Sequence, residues 1–92
     1  IFGALRRDGA PVTERALEAM GAMLAHRGPD GRRVLALDNA GLGHCLMRVN
    51  AEDRFEAQPL HDPATGVTLV ADLRLDNREA LAAACSIESE VL

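Results

Sequence analysis

The sequence predicts an α+β domain with a largely antiparallel sheet, and three observations carry that expectation. Apolar runs of strand length recur with turn signals between them, two other stretches place apolar residues at helical spacing, and the order is strand, helix, three strands, helix. Consecutive strands joined by short turns pair antiparallel, because a parallel return needs a crossover of roughly a dozen residues.

Ile1-Phe2-Gly3-Ala4-Leu5 is an apolar run stopped by Arg6-Arg7-Asp8-Gly9, so it reads as a buried strand followed by a turn at Asp8-Gly9. Thr13 can cap a helix from Thr13 to His26, in which Leu17, Met20, Met23 and Leu24 recur at helical spacing, the methionines as core filler. His26-Arg27-Gly28-Pro29-Asp30-Gly31 ends it. Pro29 cannot continue the hydrogen-bond ladder, and Gly28 and Gly31 permit positive φ.

Arg33 to Asp38 and Leu42 to Val49 then read as a β-hairpin joined by Asn39-Ala40-Gly41. Asn50 to Ala57 is polar and irregular, and Gln58-Pro59-Leu60 leads to a turn through Asp62-Pro63-Ala64-Thr65-Gly66. Val67 to Ala71, β-branched and alternating, is the clearest strand and feeds Leu73-Arg74-Leu75. Asp76 is placed to cap a last helix, with Glu79 completing a D-x-x-E capping box and Ala80, Leu81 and Ala84 directed inward.

Composition narrows the function. A chain of 92 residues holds one small domain. With two Phe and no Trp or Tyr its core is thin, which favours one piece of a larger folding unit. The net charge is −4 and the ten basic residues, all Arg, are dispersed, so no phosphate-tracking surface is expected and nucleic acid is not a partner. Cys45 and Cys85 lack the spacing of a zinc site, and their scarcity suits a reduced, cytoplasmic setting. No apolar run reaches the roughly 18 residues of a membrane helix. The chain starts at Ile1 rather than Met, so residues are expected ahead of it.

Five short motifs make the sequence specific. They are Ile1-Phe2-Gly3, the His26-Arg27-Gly28-Pro29-Asp30-Gly31 loop, Gly41-Leu42-Gly43-His44, Gln58-Pro59, and Asn77 with Leu81, and in that order they resemble the class II glutamine amidotransferase domain of the asparagine synthetase family. The resemblance implies an N-terminal-nucleophile hydrolase fold, an αββα sandwich of two antiparallel sheets, of which residues 1–92 are an incomplete part. It also implies a following synthetase domain that uses ATP and Mg²⁺. No Gly-rich pyrophosphate loop is present in this chain.

The same resemblance locates the chemistry. Active members carry a nucleophilic Cys at the mature N-terminus, two positions ahead of the residue matching Ile1, where the free α-amine serves as base. Neither Cys45 nor Cys85 has such an amine, so no catalytic residue is assigned. In the strand Gly43-His44-Cys45-Leu46-Met47-Arg48-Val49, Leu46 stands where the family has the Arg that grips the glutamine α-carboxylate. Arg48, two residues on, would share its strand face and offers a substitute.

In the run Ala71-Asp72-Leu73-Arg74-Leu75-Asp76-Asn77-Arg78, Asp72 replaces the oxyanion-hole Asn, and an ionised carboxylate cannot donate to an oxyanion. Leu73 closes the gap left by the family Gly, and Arg74 reverses the charge of the family Glu. Glu88, in a tail from Ile87 to Leu92 that follows Leu81 sooner than in the family, conservatively replaces an Asp near the substrate amine. The reading is a degenerate front domain of an ATP-dependent amide-forming ligase, similar to β-lactam synthetase or lasso-peptide cyclases, acting beside its own C-terminal synthetase domain on a small-molecule or peptide substrate. Two alternatives stand: an active glutaminase whose Cys precedes Ile1, and a free-standing interaction module.

Overall fold

A computed structural model describes residues 1–86, without the side chains of Glu52 and Phe55. Strand β1 (Phe2–Leu5) leads to helix α1 (Glu14–Leu24), a single 3₁₀ turn (Ala25–Arg27), and the hairpin of β2 (Gly31–Leu37) and β3 (Ala40–Leu46). These strands form one sheet in the order β1-β3-β2, antiparallel throughout, with Gly3 opposite Leu42 and Leu35 opposite Leu42 from the other side. The first strand thus pairs with β3, across the sheet from its hairpin partner. Thr13 caps α1 as expected, its hydroxyl accepting the Ala16 N–H at 3.1 Å.

α1 lies on the sheet face carrying Phe2, Gly41 and Gly43. Leu17 is fully buried, and a Cβ on Gly41 would meet its side chain at 2.6 Å. The Phe2 ring sits between two glycines: a Cβ at Gly43 would fall 2.0 Å from it, and one at Gly21 of α1 would fall 2.9 Å from it. Bare backbone on both sides therefore lets the ring fill the helix–sheet gap. The expected core role of Met23 fails, for it is 77% exposed while Leu17 takes the central position.

The hairpin turns more tightly than its sequence suggests. Leu37 pairs with Ala40, leaving only Asp38 and Asn39 in the loop, with Asp38 at φ 57°. Asp accepts this left-handed conformation better than most residues, and it suits the twist of a two-residue connection. At the other end β3 stops at Leu46 instead of reaching Val49, because the Asp30 carboxylate takes the Arg48 N–H that a longer ladder would use.

A second, two-stranded sheet joins β4 (Leu60–Asp62) to β5 (Val67–Leu69), antiparallel with Leu60 opposite Leu69. The sequence marks the Asp62-to-Gly66 turn, where Gly66 takes φ 75° and the Asp62 side chain binds the Ala64 N–H and the Thr65 hydroxyl. It does not mark Leu60 to Asp62 as a strand, and β5 is shorter than the expected Val67 to Ala71. Helix α2 (Arg78–Ala84) has Asn77, not Asp76, at its N-cap, with no side-chain bond there, and the expected capping box is absent. Asp76 is engaged elsewhere, accepting from Arg74 Nε at 2.6 Å. Its buried position is Ala82, whereas Ala80, Leu81 and Ala84 are exposed.

The core is thin, as the composition implies. Leu17 is the one large side chain fully buried among the described residues, and Val12 and Ala82 are buried with 7% of their surfaces exposed. No helix among those residues is long and apolar enough to cross a membrane.

Candidate functional site

The loop from His26 to Gly31 is built against the end of β3. A Cβ on Gly28 would lie 2.3 Å from the Cys45 carbonyl oxygen, and Gly28 has φ −149°, so close approach and not positive φ requires glycine here. The loop is pinned twice beyond that point, by the Asp30 N–H donating to the Leu46 carbonyl at 2.9 Å and by the Asp30 carboxylate accepting from the Arg48 N–H at 2.7 Å. His26, Arg27, Pro29, Asp30 and Gly31 are all exposed. In this chain the loop fixes where the backbone leaves the sheet.

Beyond that exit the chain turns through a 3₁₀ segment (Ala51–Phe55), held by Asp53, whose Oδ2 accepts the Val49 and Asn50 N–H groups at 2.6 and 2.8 Å. Gln58 then ties the two arms of the second hairpin together. Its Oε1 accepts the Ala71 N–H at 2.7 Å and its Nε2 donates to Glu56. The Gln58–Pro59 peptide is cis and Pro59 is buried. The Gln58–Ala71 bond fixes the start of the run Asp72, Leu73 and Arg74, which lines one cleft with His44.

The result is an open cleft of about 850 Å³. His44, Glu56, Gln58, Asp72, Leu73 and Arg74 contribute to it. Three of the six pocket positions expected from the sequence are thus brought together. Leu46 is not among the lining residues, although it shares the His44 face of β3 one pleat along. Arg48 lies past the end of β3, so the strand geometry that would let it replace the family Arg does not exist. Glu88 falls outside the described residues.

Leu73 lines the cleft with 65% of its surface exposed. Arg74 turns to Asp76. Among the lining groups is His44, whose imidazole is held below its ordinary pKa chiefly by burial, against the upward pull of Glu56 and Asp72. Asp53 and Glu56 lie in the polar, irregular run from Asn50 to Ala57 and were not singled out from the sequence as pocket residues, and His44 was read only as part of the Gly41-Leu42-Gly43-His44 motif.

The cysteines stand apart from this chemistry. Cys45 is half-buried on the opposite face of β3, its thiol 3.7 Å from the Gly21 carbonyl oxygen, and Cys85 at the end of α2 is exposed. Among the described residues no group of three or more His, Cys, Asp or Glu is placed to hold a metal ion.

No curated protein and no solved structure matches the chain. The family model described as a glutamine amidotransferase domain matches residues 1–90, nearly the full length and including the loop, the β3 motif and the cleft run just described, and the chain belongs to that family.

Proposed function

We propose that this is the degenerate front domain of an ATP-dependent, amide-forming ligase of the asparagine synthetase type, and that it does not hydrolyse glutamine. The observation that carries the reading is the run Asp72, Leu73 and Arg74 along one cleft. At the first of these the family resemblance puts a carboxylate in place of the oxyanion-hole Asn, and a carboxylate repels a developing oxyanion instead of donating to it. Leu73 adds an aliphatic wall where the family has bare backbone, and Arg74 exchanges an acid for a base.

The fold proposed for the whole domain is the αββα sandwich of N-terminal-nucleophile hydrolases, of which the helix-backed sheet and the second hairpin are parts. ATP and Mg²⁺ are assigned to a synthetase domain that adenylates a carboxylate for attack by an amine. The acceptor is a small molecule or peptide and the setting cytoplasmic. The role left to residues 1–92 is structural support of that partner domain.

A glutaminase assay on the full-length protein tests the proposal. Ammonia release above the rate without enzyme, with a thioester trapped on a terminal Cys, would restore the reading of a working amidotransferase. No release, with synthetase activity retained when free ammonia or an amine is supplied, is the expected result.

A further inference from the structure

The sequence holds two Asp–Gly peptides, Asp8-Gly9 and Asp30-Gly31. Such a peptide can react with itself, because glycine has no Cβ to keep its amide nitrogen away from the preceding carboxyl. In the first step the Gly nitrogen attacks the protonated Asp Cγ; a C–N bond forms, the Cγ–OH bond breaks, and water leaves with the amide proton, closing a succinimide ring. A water then opens the ring. Addition at Cγ restores Asp, whereas addition at the main-chain carbonyl breaks that C–N bond and leaves the chain running through Cγ, as isoaspartate. No oxidant or cofactor enters.

Asp8 and Gly9 lie between β1 and α1, where Arg6 engages both reacting groups. Its guanidinium grips the carboxylate as a fork, Nε to Oδ1 at 3.1 Å and Nη2 to Oδ2 at 2.7 Å. Its carbonyl oxygen accepts the Gly9 N–H at 3.3 Å. The Ala10 N–H adds a bond to Oδ1 at 3.1 Å, turning the carboxylate along the chain past Gly9. Arg6 is itself tied to the sheet: its N–H donates to the Asn39 carbonyl at 2.7 Å, and its own carbonyl accepts from Asn39 Nδ2 at 3.3 Å. The fork also holds the Asp8 carboxyl below its usual range, which depletes the protonated form that loses water.

We propose that Asp8-Gly9 is a latent isoaspartate site and that Arg6 guards it, by engaging the carboxylate and the attacking amide at once. Asp30-Gly31 is held differently. The Asp30 N–H donates to the Leu46 carbonyl, its carboxylate accepts the Arg48 N–H, and Gly31 opens β2 opposite Leu46. Sheet pairing therefore fixes that peptide, while Asp8-Gly9 depends on one side chain. The contacts involve only residues 6–10 and Asn39, so the proposal is independent of the cleft and of the loss of glutaminase activity.

The test holds the full-length protein and its Arg6→Ala and Arg6→Lys variants in warm, mildly acidic buffer. Isoaspartate at each site is read by mass spectrometry after digestion with a protease that cleaves before Asp and not before isoaspartate. The Arg6–Asp8 pair is exposed, so Arg6→Ala is expected to raise the rate at Asp8 by about two- to fivefold and leave Asp30 unchanged. Arg6→Lys should fall between, since Lys keeps the charge and loses the fork. In denaturant the three proteins should react alike at Asp8. Equal rates at Asp8 in the folded parent and Arg6→Ala, or a difference that persists in denaturant, overturns the proposal. So does a rise at Asp30 as large as that at Asp8, which would mean a loosened fold and not a lost guard.

Discussion

The carboxylate of Asp30 and the backbone N–H of Arg48 meet at 2.7 Å, and that bond marks where β3 ends and the wall of the cleft begins. Asp30→Ala should release it. The contact is exposed, so the expected loss is about 1 kcal/mol, below the roughly 1.5 to 3 kcal/mol of a hydrogen bond to a charged group. The sharper readout is local: amide exchange at Arg48 should quicken while exchange at Leu35 and Leu42 in the sheet is unchanged. Uniform quickening across the sheet would show that the bond supports the whole fold and not the exit from β3.

Phe2 and Gly43 supply a second prediction. A methyl group at position 43 would fall inside the Phe2 ring, so Gly43→Ala should cost about 1 to 3 kcal/mol as overpacking. Phe2→Leu in the same chain should recover part of that loss, giving a coupling of about 1 kcal/mol in a double-mutant cycle read from urea midpoints. Gly9→Ala is the contrasting case. Nothing lies within 4 Å of its added methyl, but φ +78° leaves a conformational cost of about 1 kcal/mol that Phe2→Leu cannot relieve.

Acid should destabilise the fold in two separate ranges. His44 is held below its ordinary value by burial, so the unfolded chain binds the proton more readily; its contribution is whole above about pH 6.5 and declines as pH falls below that value toward the lower folded pKa. Asp8, Asp53 and Asp62 are also held low, by Arg6 and the Ala10 N–H, by the Asn50 and Val49 N–H groups, and by the Thr65 hydroxyl and Ala64 N–H. Their contributions are present above about pH 3.9 and decline below it. Urea midpoints measured against pH should show both declines, His44→Gln removing the upper and Asp53→Asn reducing the lower. An upper decline that survives His44→Gln would assign it to another group.

These residues also show why the sequence disclosed some of the structure and hid the rest. The Thr13 cap, the Asp62-to-Gly66 turn and the β2–β3 hairpin are local, set by neighbouring segments of the chain, and the spacing displays them. What stayed hidden depends on partners distant in the chain. Met23 belongs to the same run of apolar positions as Leu17, and it is Leu17 that packs against the bare backbone of Gly41 while Met23 stays exposed. Asp76 is a good cap in isolation and is drawn off by Arg74. In the cleft, Asp72, Leu73 and Arg74 could be placed by family resemblance, yet the contributions of Glu56 and His44 follow from the Gln58–Ala71 bond, which no spacing reveals.

Reversal of the substitutions is the most direct test of lost recognition. A chain carrying Leu46→Arg, Asp72→Asn, Leu73→Gly and Arg74→Glu replaces the aliphatic and wrongly charged groups with the family's own. A bidentate Arg–carboxylate contact contributes roughly 1.5 to 3 kcal/mol for each bond, so glutamine affinity should rise by about a hundredfold or more over that of the parent chain in a chemical-shift titration. Leu46→Arg alone should do less. Leu46 is outside the lining of the cleft, and its new guanidinium would still find the Asp72 carboxylate in place of a substrate acid. Shifts should gather at His44, Gln58 and Ala71, where the cleft is tied together, and be absent at Cys45 on the opposite face of β3. A parent chain that already binds glutamine as tightly as the reverted one would mean that Asp72, Leu73 and Arg74 had never closed the site to it.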